Sequence, residues 1–217
     1  MHKEQLPNGY AVWVDEQSTF GTDAVLLSSF AQIAGGERVC DLGTGCGVMP
    51  ILWQSADRAV TVDAVEVYAP AAALAQKSVE ENGLCDRITI YNDDWKTVPL
   101  ESGRYDRVVC NPPYFSAGSG KVSDHPARRL ARHEDADTLP SVIATAGRLL
   151  KVGGHFCLCH RPERAVDVLV LLRQNGLEPK RVEWVRARAD LPPFLMLCDA
   201  VKGGKPSVSV SIREGTE

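Results

Sequence analysis

The sequence predicts an α/β fold built on a doubly wound, mostly parallel, seven-stranded sheet with a short N-terminal extension. Apolar strand-like runs alternate with helix-like segments along most of the 217 residues. A glycine-rich turn follows the first core strand, and acidic residues end the next two strands. Because ligands bind at the carboxyl ends of the strands in such sheets, we expect a single site at that edge.

Each predicted element has a local sequence reason. Pro70 opens an alanine-rich helix and Asn82-Gly83 closes it, the usual placement of proline and glycine. Gly153-Gly154 marks the turn into a later strand. The last two strands lie close together in sequence, which indicates an antiparallel pair, and the polar tail from Pro206 is expected to be poorly ordered or to pair at an edge. The predicted strands cover 38–42, 60–66, 87–91, 105–110, 155–160, 181–186 and 194–201, and helices begin near 48, 70, 138 and 163.

Two domains are predicted along the chain: an N-terminal extension at 1–33 and the main domain at 34–217. Pro7-Asn8-Gly9 is a turn signal, and the run from Tyr10 to Val14 predicts a short strand. Thr22 or Asp23 is the expected N-cap of a helix over 24–31.

The composition is that of an ordinary globular protein, with 44% hydrophobic and 24% charged residues. No apolar run is long enough to span a bilayer and the N-terminus lacks a signal-peptide core, so we expect a cytoplasmic protein with no membrane partner. The seven cysteines are odd in number and lack the spacing of a disulfide framework or a zinc site, so no metal is expected. We expect a monomer.

The glycine-rich turn runs Gly43-Thr44-Gly45-Cys46-Gly47 and is preceded by Asp41. Its spacing is tighter than that of the dinucleotide-binding fingerprint. A carboxylate at Asp41 repels a pyrophosphate but suits a ligand that carries an ammonium group. Strand, glycine-rich turn and helix together favour close approach of the backbone to a nucleotide-like ligand.

Acidic residues end the second and third predicted strands. Glu66 lies about twenty residues after the glycine-rich turn, where an acid accepts hydrogen bonds from ribose hydroxyls; the alternative is a solvated strand end. At the third strand, a carboxylate can accept from an adenine amine while an aromatic neighbour covers the ring. Asp94-Trp95 is the preferred pair there, with Asp93 as the alternative.

The fourth predicted strand ends in Asn111-Pro112-Pro113-Tyr114. Two consecutive prolines cannot continue a sheet ladder, because neither has a backbone N–H to donate. The Asn111 amide oxygen, a free proline carbonyl and the Tyr114 ring make a pocket suited to a flat –NH2 group. The alternative is a Pro-Pro strand terminator with no chemical role.

A basic segment follows at 121–133, although the net charge of the whole chain is −4. Its cations are candidate contacts to nucleic-acid phosphates, and the alternative is a solvated helix face. The candidate substrate-binding residues are Tyr114, Phe115, Lys121, Arg128, Arg129, Arg132 and His133.

From about Val39 to Val201 the chain resembles the class I S-adenosylmethionine-dependent methyltransferases, whose fold is Rossmann-like. The resemblance rests on the turn after Asp41, on Glu66, on Asp94-Trp95 and on Asn111-Pro-Pro-Tyr114. It implies S-adenosylmethionine as cofactor, with the glycine loop on the methionine part, Glu66 on the ribose and the third-strand acid on the adenine. The cofactor-binding residues it implies are Thr22, Asp41, Gly43, Thr44, Gly45, Gly47, Glu66, Asp94, Trp95 and Asn111.

The Asn-Pro-Pro-Tyr version is similar to the subset that methylates planar nitrogens: adenine N6, guanine N2 or glutamine amide. This similarity implies that Asn111, Pro112, Pro113 and Tyr114 are the catalytic residues. Phe20-Gly-Thr-Asp23 and Ala131-Arg-His-Glu134 are similar to segments of the bacterial tRNA1(Val) adenine-37 N6-methyltransferases. The resemblance places the N-terminal extension on the cofactor side and implies tRNA as the partner of the basic segment.

The expected function is therefore methylation of an adenine N6 amine in tRNA. A protein glutamine methyltransferase is one alternative, although such chains usually add a helical N-terminal domain that 33 residues cannot supply. An rRNA guanine-N2 or DNA adenine methyltransferase is another. A module that binds the cofactor or RNA without catalysis is the alternative from a different class.

Overall fold

The computed structural model describes residues 1–55, 60–112, 115–116, 133–134 and 138–215. An N-terminal hairpin joins β1 and β2, and every later strand except the two-residue pair β7 and β8 belongs to one large sheet. The strands are β1 His2–Gln5, β2 Ala11–Val14, β3 Arg38–Leu42, β4 Thr61–Val65, β5 Ile88–Tyr91, β6 Tyr105–Cys110, β7 Phe115–Ser116, β8 His133–Glu134, β9 Leu150–His160, β10 Leu177–Arg186, β11 Leu195–Lys202 and β12 Ser209–Glu214. The helices are α1 Thr22–Phe30, α2 Val48–Leu52, α3 Ala69–Glu81, α4 Thr138–Leu149 and α5 Ala165–Gln174, the last preceded by a 3₁₀ turn at Pro162–Arg164.

The large sheet has the strand order β12-β10-β11-β9-β6-β3-β4-β5. All neighbouring strands from β9 to β5 are parallel, and only β11 runs against its two neighbours. The doubly wound, mostly parallel sheet and the terminal antiparallel pair are therefore confirmed. From β3 the chain continues to β4 on one side and returns to β6 on the other, so the switch point lies between β3 and β6.

The sheet has eight strands, one more than the seven expected, because the tail contributes β12. It pairs in parallel with β10 from Arg181↔Ser209 to Arg186↔Glu214. Of the two outcomes expected for the tail, pairing at an edge is the one observed. A regular alternation of serine with aliphatic residues from Ser207 to Ile212 fits this edge strand.

Hydrophobic clusters cover both faces of the sheet. Along β6, Val109 belongs to one cluster, whereas Val108 and Cys110 belong to the other, as the two-residue period of a strand requires. Helices α1, α2 and α3 pack in the first cluster and α4 and α5 in the second. The N-terminal hairpin contributes Val12 and Val14 to the first cluster, so this segment packs into the same core as α1 to α3.

Two local expectations need correction. The N-cap of α1 is Gly21 in an extended conformation (φ −107°, ψ 175°), and Thr22 and Asp23 are already helical. The first turn closes through a hydrogen bond from the Ala24 N–H to the Gly21 carbonyl, with no side-chain cap. Strand β9 begins at Leu150 and not at 155, because Leu150 already pairs with Tyr105. The register shifts before His155 pairs with Arg107, and Gly153, with its positive φ (+82°), lies in this irregular stretch.

Candidate active site

A cavity of about 230 Å³ lies at the switch point of the sheet. It is lined by the glycine-rich loop from Gly43 to Cys46, by Glu66, by Trp95, and by Asn111 with Pro112. Residues from Gln17 to Gly21 of the N-terminal extension close another side. The structure thus brings together four segments that the sequence singled out separately.

The glycine-rich loop is fastened to the end of β4. The N–H groups of Gly43 and Thr44 both donate to the Val65 carbonyl, at 2.8 and 3.0 Å. Gly43, Gly45 and Gly47 all have positive φ angles (+75°, +59° and +83°), which side chains disfavour.

Gly47 lies at the start of α2 and faces α3. A Cβ at this position would lie 3.0 Å from the Ala75 Cβ and 3.3 Å from the Ala75 Cα. A Cβ at Gly45, in contrast, would meet nothing within 4 Å. The loop therefore needs glycine for close packing at Gly47, and its Gly45 backbone is open to the cavity that it lines.

Asp41 is completely buried in β3, two residues before the loop. Neither of its carboxylate oxygens has a hydrogen-bond partner of good geometry among the described residues, and the same holds for the Thr44 hydroxyl. Burial raises the pKa of Asp41 to about 7; the nearby Thr44 hydroxyl opposes this rise and the negative charge of Glu66 adds to it. Asp41 itself does not line the cavity, whereas Thr44 does. A buried carboxylate is costly, so a positive charge near it is favourable.

Glu66 connects the loop to the next strand end. Its Oε2 accepts a hydrogen bond from the Gly45 N–H and its Oε1 accepts one from the Tyr68 N–H, both at 2.8 Å. Burial raises the pKa of Glu66, while the N–H groups of Tyr68, Gly45 and Val67 oppose that rise. Each carboxylate oxygen can accept a second hydrogen bond, so Glu66 stays able to receive hydroxyl donors from a ligand in the cavity.

At the end of β5, Trp95 lines the cavity and donates its indole N–H to the Ser141 hydroxyl at 3.2 Å. Asp93 and Asp94 do not line it. The Oδ1 of Asp94 accepts from the Lys96 N–H at 2.9 Å, and the Oδ1 of Asp93 accepts from the Asp94 N–H at 2.7 Å. These contacts hold the turn together, so both carboxylates serve the local backbone in this structure.

Sequence reasoning missed several residues that shape this end of the cavity. Val67 and Tyr68 line it directly after Glu66, and the Tyr68 hydroxyl donates to the Gln17 side chain at 2.9 Å. Asn92 donates to the Glu66 carbonyl at 2.8 Å and so joins the ends of β4 and β5. Their positions directly after two strands, at the ligand edge, were the available signal.

Asn111 and Pro112 follow β6 directly and line the same cavity as the glycine-rich loop. The Cys159 thiol donates a hydrogen bond to the Asn111 Oδ1 at 2.9 Å. Cys159 is completely buried, and burial raises its pKa well above the usual range, so the thiol keeps its proton. A residue that the sequence marked only as a small hydrophobe therefore also orients the Asn111 amide.

Several of the predicted site residues do not line this cavity or lie outside the described part of the chain. Thr22, the first residue of α1, lines a neighbouring cavity. Phe115 and His133 are described only through their backbones, which pair β7 with β8. The remaining predicted residues lie outside the described part of the chain, so their roles stay predictions: Pro113, Tyr114, Lys121, Arg128, Arg129 and Arg132.

The described residues contain no group of three or more His, Cys, Asp or Glu side chains placed to hold a metal ion. None of the helices in this part of the chain has the length and apolar character needed to cross a membrane.

The sheet order, the glycine loop and the strand-end cavity together define a Rossmann-like class I methyltransferase fold. The chain belongs to the methyltransferase small domain family, whose model matches residues 6–174. A tRNA1(Val) (adenine(37)-N6)-methyltransferase of Parabacteroides distasonis is 31% identical over 204 residues, covering 92% of this chain and 85% of that protein. A Shigella dysenteriae protein of the same name is 34% identical over 188 residues, covering 85% and 76%.

Solved structures agree on the fold. A predicted O-methyltransferase from Agrobacterium tumefaciens superposes with a TM-score of 0.70 at 19% identity, covering 89% of this chain and 86% of that one. A geranyl diphosphate methyltransferase in complex with S-adenosylmethionine gives a TM-score of 0.61 at 18% identity, covering 82% and 84%. At these identities the likeness concerns the fold alone.

Proposed function

We propose that this protein transfers a methyl group from S-adenosylmethionine to the exocyclic N6 amine of an adenine in tRNA, with adenine 37 of tRNA1(Val) as substrate. The observation that carries the proposal is that Asn111 and Pro112 line the same cavity as the glycine loop and Glu66. A group that accepts amine hydrogens therefore adjoins a nucleotide-like site. The relatives named above support the choice of adenine 37.

The residues present fit S-adenosylmethionine. The buried Asp41 carboxylate, which does not itself line the cavity, favours an ammonium group nearby, and the open Gly45 backbone lets such a ligand approach the loop. Glu66 and Trp95 line the same cavity, which supports a contact of Glu66 with the ribose hydroxyls and of Trp95 with the adenine ring. The bound cofactor supplies an electrophilic methyl group on its sulfonium sulfur.

Asn111 and Pro112 are proposed to activate the adenine amine, which is a weak nucleophile. The lone pair of an exocyclic adenine amine is delocalised into the ring, so the free amine reacts poorly. The Asn111 Oδ1 and the Pro112 carbonyl oxygen accept its two hydrogens and hold the nitrogen with its lone pair directed at the methyl group. Catalysis then consists of positioning and electrostatic stabilisation without a covalent intermediate.

Two further parts of the proposal concern RNA. Tyr114 and Phe115 stack on the target base, as aromatic side chains do with bases that leave the helix stack. Lys121, Arg128, Arg129 and Arg132 contact phosphates, which makes binding weaken steeply as salt rises.

The experiment is transfer of labelled methyl groups to mixed substrates: unmodified tRNA, rRNA, DNA and protein. We expect label in N6-methyladenosine of tRNA, with kcat about 100-fold lower for Asn111→Ala. Asn175→Ala, at the exposed end of α5, is the matched control and keeps the wild-type rate. Label in N2-methylguanosine, DNA or glutamine, or an unchanged rate for Asn111→Ala, would refute the proposal.

A further inference from the structure

A second cavity, of about 850 Å³, adjoins the candidate active site. Phe20 and Gly21 line both cavities, so the two share a wall. The second one lies between the start of α1 and the edge of the sheet at Ala187, Phe194 and Gly215. Because β10 and β12 run in the same direction as β6, these residues stand at the same carboxyl edge of the sheet as Asn111.

The lining of this second cavity is aromatic and aliphatic, with few charges. Phe20 and Phe194 are both partly exposed, and Val25, Leu26 and Ala187 extend the apolar surface. The charged lining residues are Asp23, Arg213 and Glu214, and the Arg213 guanidinium is already paired with Glu183 at 2.6 Å. The described lining therefore suits a flat, uncharged group better than a phosphate.

Polar groups stand at one side of this apolar surface. The Thr22 hydroxyl and the Asp23 carboxyl follow Gly21 in the first turn of α1 and both line the cavity. A hydroxyl can donate and accept hydrogen bonds and a carboxylate accepts them, which matches the edge of a nucleobase. Proteins hold single-stranded bases by stacking them on aromatic rings and by hydrogen bonding to their edges.

The reacting base does not belong here, since neither Asn111 nor Pro112 lines this cavity. An RNA strand whose target adenine lies at Asn111 can continue past the wall that Phe20 and Gly21 form, because this wall separates the two cavities. We propose that the second cavity holds the nucleobase next to the target adenine, stacked on Phe194, with Thr22 and Asp23 at its edge. This inference rests on the proposed function and adds a subsite that selects the neighbouring nucleotide.

The test uses two variants of different kinds. Phe194→Leu removes the ring and keeps an apolar side chain, whereas Ala187→Trp puts a bulky side chain into the cavity without deleting a core contact. Val166→Trp is the matched control, because Val166 is 73% exposed on α5 and does not line either cavity. Each protein is titrated by fluorescence anisotropy with an anticodon stem-loop that carries a normal or an abasic nucleotide on either side of the target adenine.

We expect both cavity variants to raise the Kd for the normal stem-loop about tenfold, the size of one lost base–aromatic stack. Val166→Trp leaves it unchanged. One of the two abasic stem-loops should bind the wild type about tenfold more weakly and show no further loss with Phe194→Leu, because the ring and the base are partners. The proposed subsite is refuted if the loss of affinity from Phe194→Leu multiplies with the loss from the abasic nucleotide at both positions. It is also refuted if Ala187→Trp binds the normal stem-loop like the wild type.

Methyl transfer measured with the same RNAs separates this inference from the proposed function. If binding shows coupling between Phe194 and the neighbouring base but no methyl group is transferred, the proposed function is refuted and the base-binding subsite is retained. Methyl transfer without coupling would remove only the subsite. A wild-type protein that does not bind the stem-loop would overturn both.

Discussion

Asp41→Asn should make the unliganded protein more stable at pH 8 and bind S-adenosylmethionine more weakly. The pKa of this buried acid rises from the usual 3.8 to about 7. Above pH 7, an ionised Asp41 therefore costs the folded state about 4 kcal/mol relative to the unfolded chain. A neutral amide avoids that cost but leaves its own buried polar atoms unsatisfied, at about 1–3 kcal/mol. The expected net gain at pH 8 is about 1–3 kcal/mol.

The gain depends on pH in a defined direction. Because the folded-state pKa of Asp41 is raised, its contribution to stability is fully present below pH 4 and is lost as the pH rises towards 7. The variant lacks this loss, so the difference between the two proteins grows from pH 4 to pH 7 and then stays constant. Burial lowers the pKa of His160 from 6.5 to about 4, so the folded protein loses stability in the opposite direction, as the pH falls below 6.5. This loss occurs in both proteins, and its effect cancels in the difference.

Urea unfolding at pH 4, 6 and 8 measures the stability difference, and calorimetry at pH 8 measures the affinity for S-adenosylmethionine. We expect the affinity to fall tenfold or more, since the amide cannot balance the charge of an ammonium group. Asp41→Asn proteins that are less stable than the wild type at pH 8, or that bind the cofactor equally well, would refute the reasoning.

Three further predictions concern the cavity and the residues that support it. Glu66→Gln should weaken S-adenosylmethionine binding about tenfold in calorimetry, because an amide offers one acceptor oxygen in place of two; unchanged affinity would count against the ribose role. Gly47→Ala should lose about 2–4 kcal/mol in urea unfolding, against about 1–2 kcal/mol for Gly36→Ala, which has a matching φ but open space around its Cβ; equal losses would show that packing on α3 is unimportant. Cys159→Ala should lower kcat about tenfold with unchanged cofactor affinity, and Cys159→Ser should restore it by donating to Asn111; two equally impaired variants would point to packing alone.

The order of elements and the location of the site followed from local signals. Proline and glycine mark where strands stop and helices start, and parallel strands bring their carboxyl ends to one edge of the sheet. Glu66 and Asn111 were predicted to share a site for this reason, and they line the same cavity. The strand at Ser209–Glu214 had a local signal in its alternating pattern, but the polar composition of the tail left both disorder and edge pairing as expected outcomes.

Other features depend on contacts between residues far apart in sequence. The hydrogen bond from Cys159 to Asn111 joins residues 48 positions apart, and the cavity wall at Gln17 is joined to Tyr68 across 51 positions. A sequence pattern reports the period and polarity of one segment and carries no information about which distant side chain it meets. The predicted N-cap of α1 was wrong for a different reason. Thr22 and Asp23 are good capping residues, but the first turn closes through the Gly21 carbonyl without a side-chain cap.

The measurement that tests the central claim most directly is the mapped methylation of unmodified tRNA1(Val) by the purified protein and S-adenosylmethionine. Nuclease digestion followed by mass spectrometry locates the modified nucleoside, and the same tRNA with guanine at position 37 serves as control. We predict N6-methyladenosine at position 37 and no methylation of the control. A methyl group on another nucleoside, equal methylation of the control, or no methylation of either tRNA would contradict the account.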